Sequence, residues 1–328
     1  DAPTTPPTDA GPAASFETPL DTWTYVAIPG GECANGSQYG VAVNRTDRSD
    51  RVVVFFQGGG ACYDQITCYL LGIATHITDT LTASGVEGEA AAVPGTFFPP
   101  RSSTSPFAQA TYVYLPYCTG DVHFGNNIAD HGGRETHHVG ARNVGGVIAA
   151  LQAGFGAADR VWVTGASAGG YGAMVNWFRF RDAFPTARVD VLDDSGPPVD
   201  IEQGRWDAMM AAWGVMPPAG CPLCLDGVSE VIAFYQRTVT DGDRFALIQS
   251  TNDDTIRGYT GLTAAELEAG VLAVAASFAS TTNFHTYVVD SAEHVLLRNP
   301  GRTSGGVVLS DWVDDFATDA ATWANAGP

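Results

Sequence analysis

The chain has 328 residues, 45% of them hydrophobic, enough for one large α/β domain or two small ones with a full core. It carries 36 acidic against 16 basic residues, a net charge of −20, and every one of those basic residues is arginine. An acidic, lysine-free surface argues against nucleic acid and anionic membranes as partners, because both need cationic patches, and no run approaches the roughly 20 apolar residues that span a bilayer.

Residues 1–15 are rich in Pro, Thr and Ala and predict a disordered linker, with one folded domain over 16–328. Such a start suits a secreted or cell-surface protein cut just before Asp1, and a lipid-anchored precursor tethered by this stretch is compatible with it. Strands are expected at 25–28, 39–43, 51–56, 111–115, 160–164, 188–192, 244–249 and 284–289. Helices are expected at 143–153, 169–183, 202–213, 229–237, 264–276 and 307–317. Thr263 with Glu266 reads as a capping box that opens the fifth helix. Val52 to Phe56 is apolar at every position, as in a strand buried on both faces of a parallel sheet. Alternation of such strands with helices predicts a doubly wound α/β architecture. The segment 197–243, with weaker strand signal and several prolines, is expected to form a cap over the carboxyl edge of the sheet.

Six cysteines suit three disulfides in an exported protein. Cys221-Pro-Leu-Cys224 lies in a Pro-rich loop without a second pair nearby, which favours a loop-closing disulfide over a redox or metal role. Cys62 and Cys68 are close enough for a local bridge, leaving Cys33 and Cys118 for each other, one of fifteen connectivities.

The apolar run Val161 to Val163 leads into Gly165-Ala-Ser167-Ala-Gly169 and then a helical segment, the form of a tight strand-to-helix turn that lifts a serine hydroxyl above a sheet. A Cβ at either glycine is expected to clash where backbone meets backbone. The serine needs a base and an orienting acid. After the strand 244–249 come Asp253 and Asp254, and after the strand 284–289 comes His294. This is the chain order Ser, acid, His of the α/β-hydrolase fold. Gly58-Gly59-Gly60 follows an early strand, where free N–H groups can turn toward an oxyanion, and the N–H of Ala168 is the second expected donor. His285 reads as structural. His123, His131, His137 and His138 show no recognisable metal-ligand spacing, so neither a metal nor a cofactor is expected.

These segments, with Leu115-Pro-Tyr-Cys-Thr-Gly-Asp-Val122 and Asp194-Ser-Gly196, resemble the pectin acetylesterases and the Notum-like carboxylesterases, in a bacterial-type form. The resemblance spans most of the chain after residue 30. It implies an α/β-hydrolase fold, a mostly parallel central sheet flanked by helices, with a cap. It implies Ser167 as nucleophile, Asp253 as acid, His294 as base, and Gly59, Gly60 and Ala168 as oxyanion donors. It favours Cys33–Cys118 as a disulfide, and places Tyr63, Asp121, His123 and Phe124 in the substrate pocket. Gln57 stands where plant members carry Glu, Ala61 where they carry Trp, and Asp254-Thr-Ile-Arg-Gly-Tyr259 lacks their aromatic-Gln continuation. The expectation is a secreted, monomeric serine esterase acting on acetyl or other short acyl esters, free or on a polymer. A polyester hydrolase on the same scaffold and a non-catalytic hydrolase-like binding protein are the alternatives.

Overall fold

The structure, a computed structural model, describes residues 13–93, 99–239 and 242–328. Most of the expected linker, residues 1–12, lies outside the described residues, whereas Ala14 and Phe16 are buried in the core. In chain order the elements are β1 (Thr24–Glu32), β2 (Gln38–Asn44), β3 (Arg51–Phe56), α1 (Ala83–Ala92), β4 (Thr111–Leu115), β5 (Asn127–Asp130) and β6 (Glu135–His138). There follow α2 (Gly140–Phe155), β7 (Arg160–Ala166), α3 (Ala168–Ala183), β8 (Arg188–Asp194), α4 (Gln203–Trp213), α5 (Val228–Thr238) and β9 (Phe245–Ser250). The chain closes with α6 (Asp254–Thr260), α7 (Ala264–Phe278), β10 (Phe284–Val289), β11 (Thr303–Ser304), β12 (Val307–Val308) and α8 (Leu309–Thr318).

Eight strands form one sheet in the order β1-β2-β4-β3-β7-β8-β9-β10. β1 pairs with β2 and β2 with β4 antiparallel; every later pairing is parallel. The apolar runs explain this. In β3, Val52, Val54 and Phe56 pack into the core on one face, while Val53 and Phe55 pack into the core on the other. Residues of α2, α3 and α5 cover the first face, and residues of α1 and α8 the second. No single helix among the described residues is long and apolar enough to cross a membrane. α6 and α7 reach the length only together, and they are bent by 104°.

All eight expected strands and all six expected helices are present. The short helix α6 and the β11–β12 pair lie outside the expected elements, and three further features differ from the expectation. α1 was not legible, because its two glycines weaken helix propensity and it buries only Val86 and Ala90. The β5–β6 hairpin pairs short, half-polar strands without an apolar run. The second half of the expected cap, α5, instead packs Val231, Ile232 and Tyr235 into the core, with Tyr235 4.9 Å from the Trp177 ring centre.

The three disulfides are Cys33–Cys118, Cys62–Cys68 and Cys221–Cys224. They close loops of very different length, with sequence separations of 85, 6 and 3. Chain-entropy arguments assign the first about 4.5 kcal/mol, more than either short bridge. Removing Cys33–Cys118 with paired alanines is therefore expected to lower Tm more than removing Cys221–Cys224, a ranking that differential scanning calorimetry checks.

Candidate active site

β7 ends at Ala166, and Ser167 turns the chain into α3 with φ 60° and ψ −125°, a left-handed conformation that a non-glycine residue holds only where its surroundings enforce it. The two glycines of the turn are sterically required. A Cβ on Gly165 would lie 2.1 Å from the Gly169 carbonyl oxygen, and a Cβ on Gly169 would lie 2.0 Å from that of Phe56. Strand β3 thus presses directly on the turn. The Ser167 N–H donates to the Asp194 carbonyl at 2.8 Å, and the Ser167 carbonyl accepts from Gly170 N at 2.9 Å.

Asp253 follows β9 and caps α6. Its Oδ1 accepts from Thr255 N (3.0 Å) and Ile256 N (2.9 Å), which leaves Oδ2 for His294 Nδ1 at 2.7 Å. The Asp253 side chain is fully buried, while His294 keeps 17% exposure. A carboxylate held this way fixes the tautomer of the imidazole and leaves Nε2 as a base. Asp254 points outward at 71% exposure and pairs with Arg257 at 2.9 Å.

The glycine loop is wedged as tightly as the serine turn. A Cβ on Gly58 would meet the Ala166 carbonyl oxygen at 2.3 Å; one on Gly59 would meet Thr75 Cγ2 at 2.3 Å. Gly60, at φ +80°, has the Ile73 carbonyl oxygen 2.0 Å from where its Cβ would sit. Among the described residues no protein acceptor takes the N–H of Gly59, Gly60 or Ala168. Unpaired N–H groups in such a place are available to an anion.

Ser167 stands between two cavities. One, of about 510 Å³, is lined by Gln57 to Gly60, Thr75, Tyr259 and His294. The other, of about 280 Å³, is lined by Ala168 and Tyr63 and by apolar residues that include Ile73, Val199, Ile201 and Ile256. Trp206, Met209 and Trp213 of α4 also line it. Their spacing of three and four residues puts them on one helix face. Trp213 Nε1 donates to the Cys62 carbonyl at 2.9 Å, and Trp206 Nε1 to the Leu225 carbonyl at 2.6 Å, which pins this helix down. These tryptophans were not singled out from sequence, where nothing separates them from core residues.

Of the four expected pocket residues, Tyr63 lines the apolar cavity. Asp121, His123 and Phe124 do not match the expectation: they are buried, at 0%, 3% and 1% exposure. The Asp121 carboxylate accepts from Thr119 Oγ1 and from the N–H groups of His123, Gly125 and Gly140, the last opening α2. Burial lifts the Asp121 carboxyl above the ordinary carboxylate range against these donors. His123 Nε2 donates to the Gln57 carbonyl at 2.9 Å, and burial pushes the ring down, keeping it neutral for that role. Gln57 Oε1 in turn accepts from Tyr117 N at 2.7 Å. Asp121 and His123 therefore brace the glycine loop from behind.

The remaining histidines have other partners. His131 Nε2 meets His138 Nε2 at 2.9 Å, and His138 Nδ1 donates to the Thr119 carbonyl at 2.8 Å. Burial pushes His138 down to about 4. Cys68 Sγ is near this pair, but its disulfide with Cys62 removes the thiolate a metal would use. His137 is held between Glu32 and Glu135, and the His285 ring centre is 4.4 Å from that of Trp323.

The chain is 28% identical over 145 residues to palmitoleoyl-protein carboxylesterase notum2 of Xenopus laevis, a match covering 44% of this chain and 29% of the relative. The match thus spans under a third of that relative's length. The fold of this chain is similar to that of the Wnt deacylase Notum from Drosophila, with a TM-score of 0.69 at 16% identity over 93% of this chain and 96% of the other. The pectinacetylesterase pattern matches residues 16–215, well over half of the chain. The chain belongs to the pectinacetylesterase family, a family of carboxylic ester hydrolases.

Proposed function

We propose that the protein is a secreted serine esterase working through an acyl-enzyme. The observation that carries this is the Asp253–His294 hydrogen bond beside a serine on a strained strand-to-helix turn. Ser167 Oγ attacks the ester carbonyl while His294 Nε2 takes its proton, and Asp253 holds the resulting imidazolium. The N–H groups of Gly59, Gly60 and Ala168 receive the oxyanion. His294 then gives the proton to the departing alcohol, and water, deprotonated by the same imidazole, releases the acid. The three disulfides support export.

The acyl group goes to the apolar cavity under α4. At about 280 Å³ this cavity has room for an acyl chain longer than acetyl. Hydrolysis of p-nitrophenyl esters from acetyl to decanoyl is expected to peak beyond acetyl, with kcat/KM rising through butyryl. A peak at acetyl would make the protein a deacetylase and send the search to acetylated polysaccharides. No hydrolysis at any length by folded protein would favour the binding-protein reading. Action on a polyester chain is supported by exposed Leu70 and Leu71, at 72% and 64%, because Leu71 also lines the cavity. Release of soluble acid from a polymer film selects this second reading.

A further inference from the structure

Asp194, the last residue of β8, has no role in the steps above, yet it touches both the nucleophile turn and the base loop. Its backbone carbonyl accepts from Ser167 N at 2.8 Å. Its carboxylate holds the loop immediately after His294: Oδ1 accepts from Leu296 N and Oδ2 from Leu297 N, both at 2.9 Å. Ser195 completes the grip. Its Oγ accepts from Val295 N at 3.0 Å and donates to Asp194 Oδ1 at 3.1 Å. The Ser195 N–H donates to the Ile248 carbonyl at 2.9 Å, in the strand that leads to Asp253. Ser195 and Val295 both adopt positive φ, 69° and 59°, conformations that need enforcement from outside. Both Asp194 and Ser195 are fully buried.

We infer that Asp194 and Ser195 are positioning residues that set the register of His294 against Ser167, and that the clamp requires the Asp194 carboxylate in its ionised form. Three consecutive N–H groups, Val295 to Leu297, terminate on these two side chains, so the loop carrying the base cannot drift without breaking them. Protonating Asp194 removes its negative charge and puts a hydrogen on an oxygen that now accepts from the loop, which weakens the charge-assisted N–H bonds holding the loop. Burial pushes the Asp194 carboxyl up to about 6, with the backbone donors of Leu297 and Leu296 and the His294 charge opposing. The titratable groups that feel its charge are His294 and Asp193, its strand neighbour on the opposite face of β8. Asp194 is thus ionised above about pH 6, and the clamp loosens as pH falls through that value.

This inference rests on His294 being the base, and the test separates the two. The variants are Asp194→Asn, Ser195→Ala and His294→Ala, assayed on a p-nitrophenyl ester across pH 5–9. Asp194→Asn keeps the shape but replaces an acceptor with an N–H₂ facing an N–H. It is expected to lower kcat by roughly 10- to 100-fold with KM within about twofold of wild type, as for small misplacements of a catalytic group. In wild type, protonation of Asp194 adds its own loss to the acid side of the kcat/KM profile; Asp194→Asn removes that contribution and leaves a shallower acid slope. Ser195→Ala, which leaves the carboxylate in place, is expected to lose a smaller factor in kcat and to serve if the Asn variant does not fold. Wild-type kcat in both folded variants, or a lower kcat with an unchanged acid slope in Asp194→Asn, overturns the inference. Retained activity in His294→Ala would instead sink the assignment of the base.

Discussion

Replacing Ser167 by alanine is expected to lower kcat on an activated ester by a factor on the order of 10⁴ to 10⁶, the loss seen when a serine nucleophile is removed from an intact site. The size follows from what stays behind. The glycine loop, Ala168 and the cavity still bind ester and donate to its carbonyl, but no covalent intermediate forms, and water is neither activated nor placed as the serine was. Folding should be unaffected, because the turn is imposed by the Gly165–Gly169 and Phe56–Gly169 contacts and not by the hydroxyl. Alanine suits φ 60° no worse than serine does. The measurement pairs initial rates with circular dichroism and with labelling by a fluorophosphonate probe. Loss of both hydrolysis and labelling in a variant of native spectrum is the expected result; near-wild-type turnover by folded Ser167→Ala would remove Ser167 from the chemistry.

Much of this site was legible in the sequence, for identifiable reasons. Strands buried on both faces must be apolar throughout, so β3 and β7 stand out from the polar background. The Gly-x-Ser-x-Gly turn is legible because its glycines answer to steric contacts within a few residues of chain. His294 and an acid at Asp253 or Asp254 are readable as pairs of strand end and polar residue in the expected order, and the family resemblance chooses Asp253. Asp194 was legible as part of a motif but without a role, because an acid at the end of a strand looks like an ordinary solvated turn. Only the fold brings Leu296 and Leu297, about a hundred residues away, onto its carboxylate. Asp121 and His123 are the opposite case: the family resemblance placed them in the substrate pocket, and in the fold their hydrogen bonds go to Gly140 N and the Gln57 carbonyl. The cavity wall from α4 was hidden for a third reason: Trp206 and Trp213 follow the spacing of any helix face that packs on a core.

Gly60→Ala is expected to cost on the order of 10²- to 10³-fold in kcat, as for loss of one oxyanion donor. Two separate penalties act there. At φ +80° an L-residue is strained, and the added Cβ would lie 2.0 Å from the Ile73 carbonyl oxygen and 2.5 Å from the Tyr259 hydroxyl. Neither neighbour yields easily, since Tyr259 Oη donates to that same Ile73 carbonyl at 2.7 Å. Relief must come from the glycine loop, which turns the Gly60 N–H away from the serine. Ground-state binding depends mainly on the cavities, so KM should change little while kcat falls, the mark of an interaction made chiefly in the transition state. Gly30→Ala is the control. Gly30 also has positive φ, at +69°, but nothing lies within 4 Å of its added Cβ, and it is in β1. It carries the strain of about 1–3 kcal/mol without the displacement, and should lower Tm yet keep kcat. If folded Gly60→Ala retained kcat within a few-fold of wild type, the oxyanion would have to be held by Gly59 and Ala168 alone.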